Sequence, residues 1–515
     1  MRHILIFSLA LATALLTACG GGGGGSTPAA VAATPTPTQV QTPPSTLASA
    51  ASLAQQCTAP RPGTADRQGS IDTEKAWVRS FMDETYLWYK DIPVVNAADH
   101  TLAGNGNSVL QTLNAYFQAL KTKSTTASGK PVDQFSFTLS TADLINQQSG
   151  IASGYGFRRS TLSSGLPRVV RILYVEQGSP AQIAGVSRGD TITSIDGVDI
   201  NDTTTAGVAA LNAGLAPTVA NKTTRFGLVA ANTTEPRFVN ITSSQSIVVT
   251  PVPLSTVIAD GGNTVGYLVL NSFGVVGAEK QLIDAFTVLK AARVNELVVD
   301  LRYNGGGYLD LANELAWMIG DASLAGKTFE KLTCNDKNPL SFCNSTSAFH
   351  QTSQGFSVSP GQALPQLGLK RVFMLTTGST CSASESVING LSPFMQVIRI
   401  GSTSCGKPYG FSYESNCGTS YAAMQFKGVN AVGFGDYADG FAPSCTVADD
   451  LTRQRGDPSE AMLSGALGYI RTGTCPAAPS GSDKGLVQGL LQGGSYTMDR
   501  SPAETVRILR GPSGR

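Results

Sequence analysis

The sequence predicts an α/β protein: a layered strand-and-helix core, preceded by a small helical region and a strand-rich insert. Three observations carry this. From residue 264 onward, short apolar strand runs alternate with amphipathic helical patterns. Residues 70–122 repeat apolar residues at helical spacing, and residues 154–200 switch to short strands punctuated by Gly-Asp and Asp-Gly turns. Repeated β-α units argue for a sheet covered by helices, and 515 residues are too many for one domain.

The chain opens with Arg2 and His3 ahead of an apolar run from Ile4 to Leu16. That run is too short to span a bilayer and has the order of a secretion signal. Leu16-Thr17-Ala18-Cys19 resembles a bacterial lipobox, which implies a signal peptide over 1–18 and lipidation of Cys19. The glycines from Gly20 and the Pro/Thr/Ala-rich stretch behind them read as a flexible linker over 19–55. Gly20, rather than Asp, after the cysteine implies an outer-membrane lipoprotein, periplasm-facing or surface-exposed, held to the membrane through Cys19. Eight further cysteines in an exported chain read as disulfides. The local pairs Cys334–Cys343 and Cys405–Cys417 are the easiest to argue, with Cys381 left as a possible free thiol; the connectivity itself is not deducible.

Residues 56–149 form the helical region, with Trp77, Phe81, Tyr86, Leu87 and Tyr89 on one apolar face and Val109, Leu110, Leu113, Tyr116, Phe117 and Leu120 on another. In 150–250, Gly154-Tyr155-Gly156-Phe157 precedes a strand from Arg168 to Val175, a short helix from Ser179 to Ala184 and a strand from Thr191 to Ile195. With the run Ser179 to Asp190, this passage resembles a PDZ domain. The resemblance implies that a peptide adds as a strand while the amides of Gly154, Tyr155, Gly156 and Phe157 hold its terminal carboxylate. In the core, 251–475, strands are expected at Val265–Phe273, Leu297–Leu301, Val372–Leu375 and Val397–Ile400. Helices are expected at Glu279–Arg293, Tyr308–Ile319 and Ser382–Leu391. Residues 476–515 form an extension with two apolar patches, the later one Val506-Arg507-Ile508-Leu509; a docking segment is one reading of it.

The composition limits the chemistry. Basic and acidic residues nearly balance, 37 against 36, so there is no electrostatic footprint for nucleic acid. Three histidines, one of them in the signal segment, leave little room for a Ser-His-Asp triad. Gly185-Val186-Ser187-Arg188-Gly189 matches G-x-S-x-G, but a helix precedes it and a strand follows, the reverse of a nucleophile elbow. Ser404-Cys405-Gly406-Lys407 matches S-x-x-K, but the glycines and Pro408 around it forbid the helical turn that motif needs. No C-x-x-C pair supports a zinc site, and no metal or other cofactor is called for.

A stronger constellation combines three segments. Asp300-Leu301-Arg302-Tyr303-Asn304-Gly305-Gly306-Gly307 ends a buried strand, and its glycines free backbone amides for an oxyanion hole. Cys381-Ser382-Ala383-Ser384-Glu385 puts a serine at a helix N-terminus, where the dipole favours a developing alkoxide. Lys407 follows the next strand; buried, it would be neutral enough to act as a base. D-L-R-x-N-x-G-G, then S-A-S-E, then G-K resembles the C-terminal processing, or tail-specific, protease family, Ser-Lys peptidases with an embedded PDZ domain. The run Asp133 to Ser140 resembles that family's approach to the PDZ domain.

The resemblance implies a ClpP/crotonase-like layered β-β-α core with Ser382 as nucleophile and Lys407 as general base. The amide of Ala383 and one from Gly306 or Gly307 would form the oxyanion hole. The implied activity is that of a serine endopeptidase on exported or envelope proteins with an extended C-terminal segment, through an acyl-enzyme. Two departures stand out. Phe411 occupies the place where many members carry a lysine-orienting Gln, leaving Tyr409 or Gln425 to orient the base; and Cys381, beside the nucleophile, would tie the two catalytic loops if it bridged to Cys405. Phe411 also motivates a rival reading, a catalytically weak PDZ-based peptide-binding lipoprotein. An acyl-thioester enzyme on the same core explains neither the signal nor the PDZ-like passage.

Overall fold

The computed structural model describes residues 47–102, 108–163, 165–217, 219–475 and 507–508. The expected signal segment, Cys19 and most of the expected linker lie outside these residues, as does the earlier apolar patch of the tail, Leu486 to Leu491. Within the stretch expected to be linker, Ala50–Leu53 is a short helix, capped by Ser49 and bonded from the Ala50 amide to Glu84 at 2.9 Å. The residues of this helix therefore do not behave as the linker expected for them.

A six-stranded sheet forms the core, in the order Leu254–Asp260, Asn263–Val269, Glu296–Asp300, Arg371–Thr376, Gln396–Gly401, Cys445–Thr446. The first pair is antiparallel and the rest are parallel. Alternate residues point to opposite faces. Leu297 and Val299 therefore pack with Val372, Met374 and the helices Ala278–Ala291, Leu309–Ile319 and Ala383–Leu391. Val298, Phe373, Leu375 and Ile398 turn the other way, onto the helix Ala461–Thr472. A smaller sheet, Thr346–Ala348, Thr328–Cys334, Phe426–Val429 and Tyr409–Gly410, forms the second β layer. The expected elements match these within a few residues. The strand expected to reach Phe273 stops at Val269, because the amides beyond it turn to loops: Asn271 to Pro251 and Phe273 to Gly306, both at 2.8 Å.

The insert is a sheet ordered Pro236–Thr242, Thr223–Val229, Thr191–Ile195, Val169–Val175, Phe157–Ser163, with the helix Thr205–Leu215 against it. Phe157–Ser163 is the edge strand. In the helical region, Ile71–Thr85 and Val109–Ala119 each begin at a serine whose hydroxyl accepts from the third residue's amide. The first helix ends at Thr85, so Leu87 and Tyr89 leave the helical face they were expected to share.

Four disulfides join the described cysteines: Cys57–Cys417, Cys334–Cys343, Cys381–Cys405 and Cys445–Cys475. Cys334–Cys343 is as expected, whereas Cys405–Cys417 is not formed and Cys381 is not free. Cys417 sits at positive φ on the turn of the hairpin Glu414–Asn416 and Thr419–Ala422. That turn abuts the N-terminal segment, where Asn416 accepts from the Gln55 amide at 2.7 Å, so its thiol meets Cys57 instead. Cys57–Cys417 closes a loop of 360 residues. Cys57→Ser is expected to cost about 2–5 kcal/mol, lowering the melting temperature by several degrees in calorimetry while the family of core strands persists.

Candidate active site

Three loops leave the C-terminal ends of adjacent parallel strands, the edge at which open α/β sheets place their sites. Backbone bonds knit them together. The Cys381 amide donates to the Asn304 carbonyl at 3.0 Å, and the Ser384 hydroxyl donates to the same oxygen at 3.2 Å. The Cys405 amide donates to the Thr380 carbonyl at 3.0 Å, and the Cys381–Cys405 disulfide locks that junction.

The buried carboxylate of Glu385 completes the assembly. Its Oε2 accepts from the amides of Ser382 and Lys407, each at 2.8 Å, so those nitrogens lie no further apart than twice that distance. Its Oε1 accepts from the Gly406 amide at 2.9 Å and the Ser404 hydroxyl at 2.5 Å. Burial pushes the Glu385 carboxyl up, while these four donors favour its charged form.

Ser382 immediately precedes the helix Ala383–Leu391. Its φ of 62° and ψ of −114° are a conformation that a non-glycine residue adopts only under constraint. Its buried Oγ has no hydrogen-bond partner among the described residues. Gly306 and Gly307 stand at φ +102° and +142°. A Cβ on Gly307 would come within 2.0 Å of the Phe273 backbone. The Gly306 amide is already committed to the Asn304 side chain at 2.9 Å.

Lys407 is fully buried. Desolvation pulls its amine from the usual 10.5 down to about 7, against the opposing pull of the Asp133 and Glu385 carboxylates. Its Nζ lies 4.9 Å from the ring centre of Phe135 and 5.4 Å from that of Phe411. Of the two polar residues considered as orienters, Tyr409 packs its ring edge-on against Trp88, and the Gln425 side-chain oxygen accepts from the Ser412 amide at 2.7 Å, while its buried Nε2 has no hydrogen-bond partner among the described residues. Ser404 is not on a shared helical turn with Lys407, as the glycines required.

Behind the glycine loop lies a buried ion cluster. Arg302 pairs with Asp300, Asp449 and Glu460 at 2.7–2.9 Å. Arg188, from the insert, joins it at Asp449 at 2.6 Å and donates to the Tyr303 hydroxyl at 2.5 Å. The Gly185–Gly189 turn, expected to be only a turn, therefore also carries the bond between insert and core. Elsewhere in the insert, Gly154 and Gly156 take positive φ and Tyr155 is buried, its hydroxyl donating to the Gly214 carbonyl and accepting from the Thr224 hydroxyl. These residues and Phe157 line a cavity of about 260 Å³ beside the edge strand, with Arg158 and Arg159 on its wall.

The model for peptidase family S41 matches residues 264–416, and a PDZ-domain model matches residues 171–220. Residues 264–416 thus carry the match to peptidase family S41. A solved structure from Bacteroides fragilis, assigned to the S41 proteases, superposes with a TM-score of 0.60 at 27% identity, covering 77% of this chain and 97% of that one. A carboxyl-terminal-processing protease of Picosynechococcus is 26% identical over 239 residues, 46% of this chain and 51% of that protein. The chloroplastic carboxyl-terminal-processing peptidase 1 of Arabidopsis thaliana is 29% identical over 219 residues, 40% of this chain and 43% of that protein. The chain thus spans about half the length, or less, of these two curated relatives.

Sequence reasoning brought Ser382, Lys407, Ala383, Gly306 and Gly307 to one place, with the PDZ residues Gly154 to Phe157 at another. It gave Glu385 no part in joining the serine and lysine loops; the signal it left was an acid three residues after the serine. It did not assign Asp133 and Phe135 to the lysine, nor Arg188, Asp449 and Glu460 to the S41 motif, because those approaches cross long sequence separations. Glu385→Ala would leave four buried donors short of an acceptor, at about 1–3 kcal/mol each. It should lower the melting temperature and abolish serine labelling by a fluorophosphonate, whereas Glu385→Gln should retain part of both.

Proposed function

We propose that this protein is a serine endopeptidase in which Ser382 is the nucleophile and Lys407 the general base. The observation that carries the reading is the shared carboxylate oxygen of Glu385, which holds the Ser382 and Lys407 backbones together under a lysine brought to about 7. At that value a large share of the amine is unprotonated at neutral pH and can accept the Ser382 proton. The Oγ then attacks the scissile carbonyl, and the amides of Ala383 and Gly307 bind the oxyanion. Gly307 is preferred over Gly306 because the Gly306 amide is already bonded to Asn304. Lys407 returns its proton to the leaving amine, and water releases the acyl-enzyme.

The substrate is an exported protein whose C-terminal segment adds to the edge strand Phe157–Ser163. Its carboxylate would lie at the Gly154–Phe157 amides near Arg158 and Arg159. A cleft of about 720 Å³ supports a path from there to the dyad. It shares Ala152, Ser153 and Arg158 with the peptide cavity and reaches Gly274 and Gly305 beside the oxyanion loop. The lipobox and the four disulfides support an envelope location, with Cys19 lipidated.

Proteolysis of an unfolded protein by the parent chain, beside Ser382→Ala and Lys407→Ala, tests the reading. Each variant should lose at least about a hundredfold, the scale of a lost acid–base group, with its melting temperature retained. Equal activity in all three would end it, and absence of both hydrolysis and fluorophosphonate labelling in the parent would favour the peptide-binding alternative. The pH profile adds a second check. Only the unprotonated amine serves, so kcat/KM should fall about tenfold per pH unit below 7 and level off above about 8. Lys407→Arg, which stays charged throughout, should remain inactive across that range.

A further inference from the structure

The later apolar patch of the C-terminal extension does not stand apart from the core. Arg507–Ile508 forms a short parallel strand against Gly307–Tyr308, in the register Gly307 to Arg507 and Tyr308 to Ile508. On its other side Ile508 makes a parallel bridge with Phe411. Ile508 is 4% exposed and belongs to the same apolar cluster as Tyr308 and Phe411. It also lines the large cleft, together with Phe137, Leu139 and Tyr413.

The two walls it touches are the two halves of the catalytic apparatus. Gly307 belongs to the oxyanion loop. Phe411 lies four residues beyond Lys407, and its ring faces that lysine's Nζ at 5.4 Å. A peptide held in this slot therefore runs as a strand beside the glycine amides and next to the general base. That is where an extended substrate must lie for its carbonyl to reach both. Gly307 cannot carry a side chain here, because its other edge is already in contact with Phe273.

We propose that the segment around Ile508 is an intramolecular occupant of the substrate-strand position, and that the Ile508 site is a specificity pocket for an aliphatic side chain. This rests on the peptidase reading for its consequence, although the docking itself does not. While the tail is seated, a substrate must displace it, so the extension acts as a tethered competitor.

Two measurements on the full chain decide the matter. In the first, Ile508→Asp should dislodge the tail and raise kcat/KM on an unfolded protein at least about threefold, mainly through KM, while Ile508→Val should behave as the parent. In the second, a fluorescein-labelled peptide of residues 501–515 should bind the Ile508→Asp chain in fluorescence anisotropy. It should bind the parent chain far less, because the parent's slot is filled, and the same peptide carrying Ile508→Asp should not bind. Should Ile508→Asp melt well below the parent, Ile508→Ala replaces it in both arms. An unchanged kcat/KM together with no peptide binding to the dislodged chain overturns the proposal. Peptide binding without hydrolysis by any variant would keep the docking site and reject the peptidase reading instead.

Discussion

One buried carboxylate holds the candidate dyad together. Glu385 is placed by the first turn of its own helix, yet three of its four acceptor contacts go to the loop that carries Lys407. An unpaired carboxylate at this depth would be expensive, so the arrangement is stable only while both loops present their donors. Local strain follows from the same constraint. Ser382 sits in an unfavourable backbone conformation, held on one side by the Glu385 bond to its amide and the Cys381 junction and on the other by the helix that begins at Ala383. The lysine gains a property in return. It is buried within the field of two carboxylates and beside the faces of Phe135 and Phe411, and desolvation outweighs the attraction.

The sheet explains why the functional segments follow one another in the chain. Parallel strands connected by helices all end at the same edge. The loops after Asp300, Thr376 and Gly401 are therefore neighbours because their strands are. The ion cluster around Arg302 stiffens the first of these loops from below. It extends into the PDZ domain through Arg188, so the position of the peptide-binding domain and the position of the glycine loop share one set of buried charges. A charge in such a cluster cannot be withdrawn cheaply, since breaking a buried pair typically costs about 3–5 kcal/mol.

The parts of this design that sequence reveals are those encoded over short spans. Strand and helix runs, the Gly-rich turn, the serine before a helix and the lysine after a strand are each local, and each element was found within a few residues. The disulfides show the opposite case. Cys334–Cys343 lies within one loop and was legible, but Cys417 was assigned to the nearer Cys405 when a hairpin turn delivers it to Cys57. The replacement of Gln by Phe411 was visible as a letter, but its meaning was not. The aromatic pair Phe135 and Phe411 above Lys407 depends on a segment more than 270 positions upstream, and no pattern within either segment announces the other.

Phe411 also connects the chemistry to the tail. A Gln at that place would offer the lysine a hydrogen bond; a Phe offers it a low-dielectric wall and offers Ile508 an apolar neighbour. Burying one aliphatic side chain contributes about 1.5–3 kcal/mol, and a two-residue strand adds little beyond it. Such a contact would be weak between separate molecules. Tethered through the residues that follow Cys475, it acts at an effective concentration in the millimolar range. A substrate arriving freely would compete poorly against that concentration. One already held by its C-terminus on the PDZ domain is tethered too and competes on equal terms. The two strand sites would then work as a filter, in which occupation of the first is the condition for entering the second.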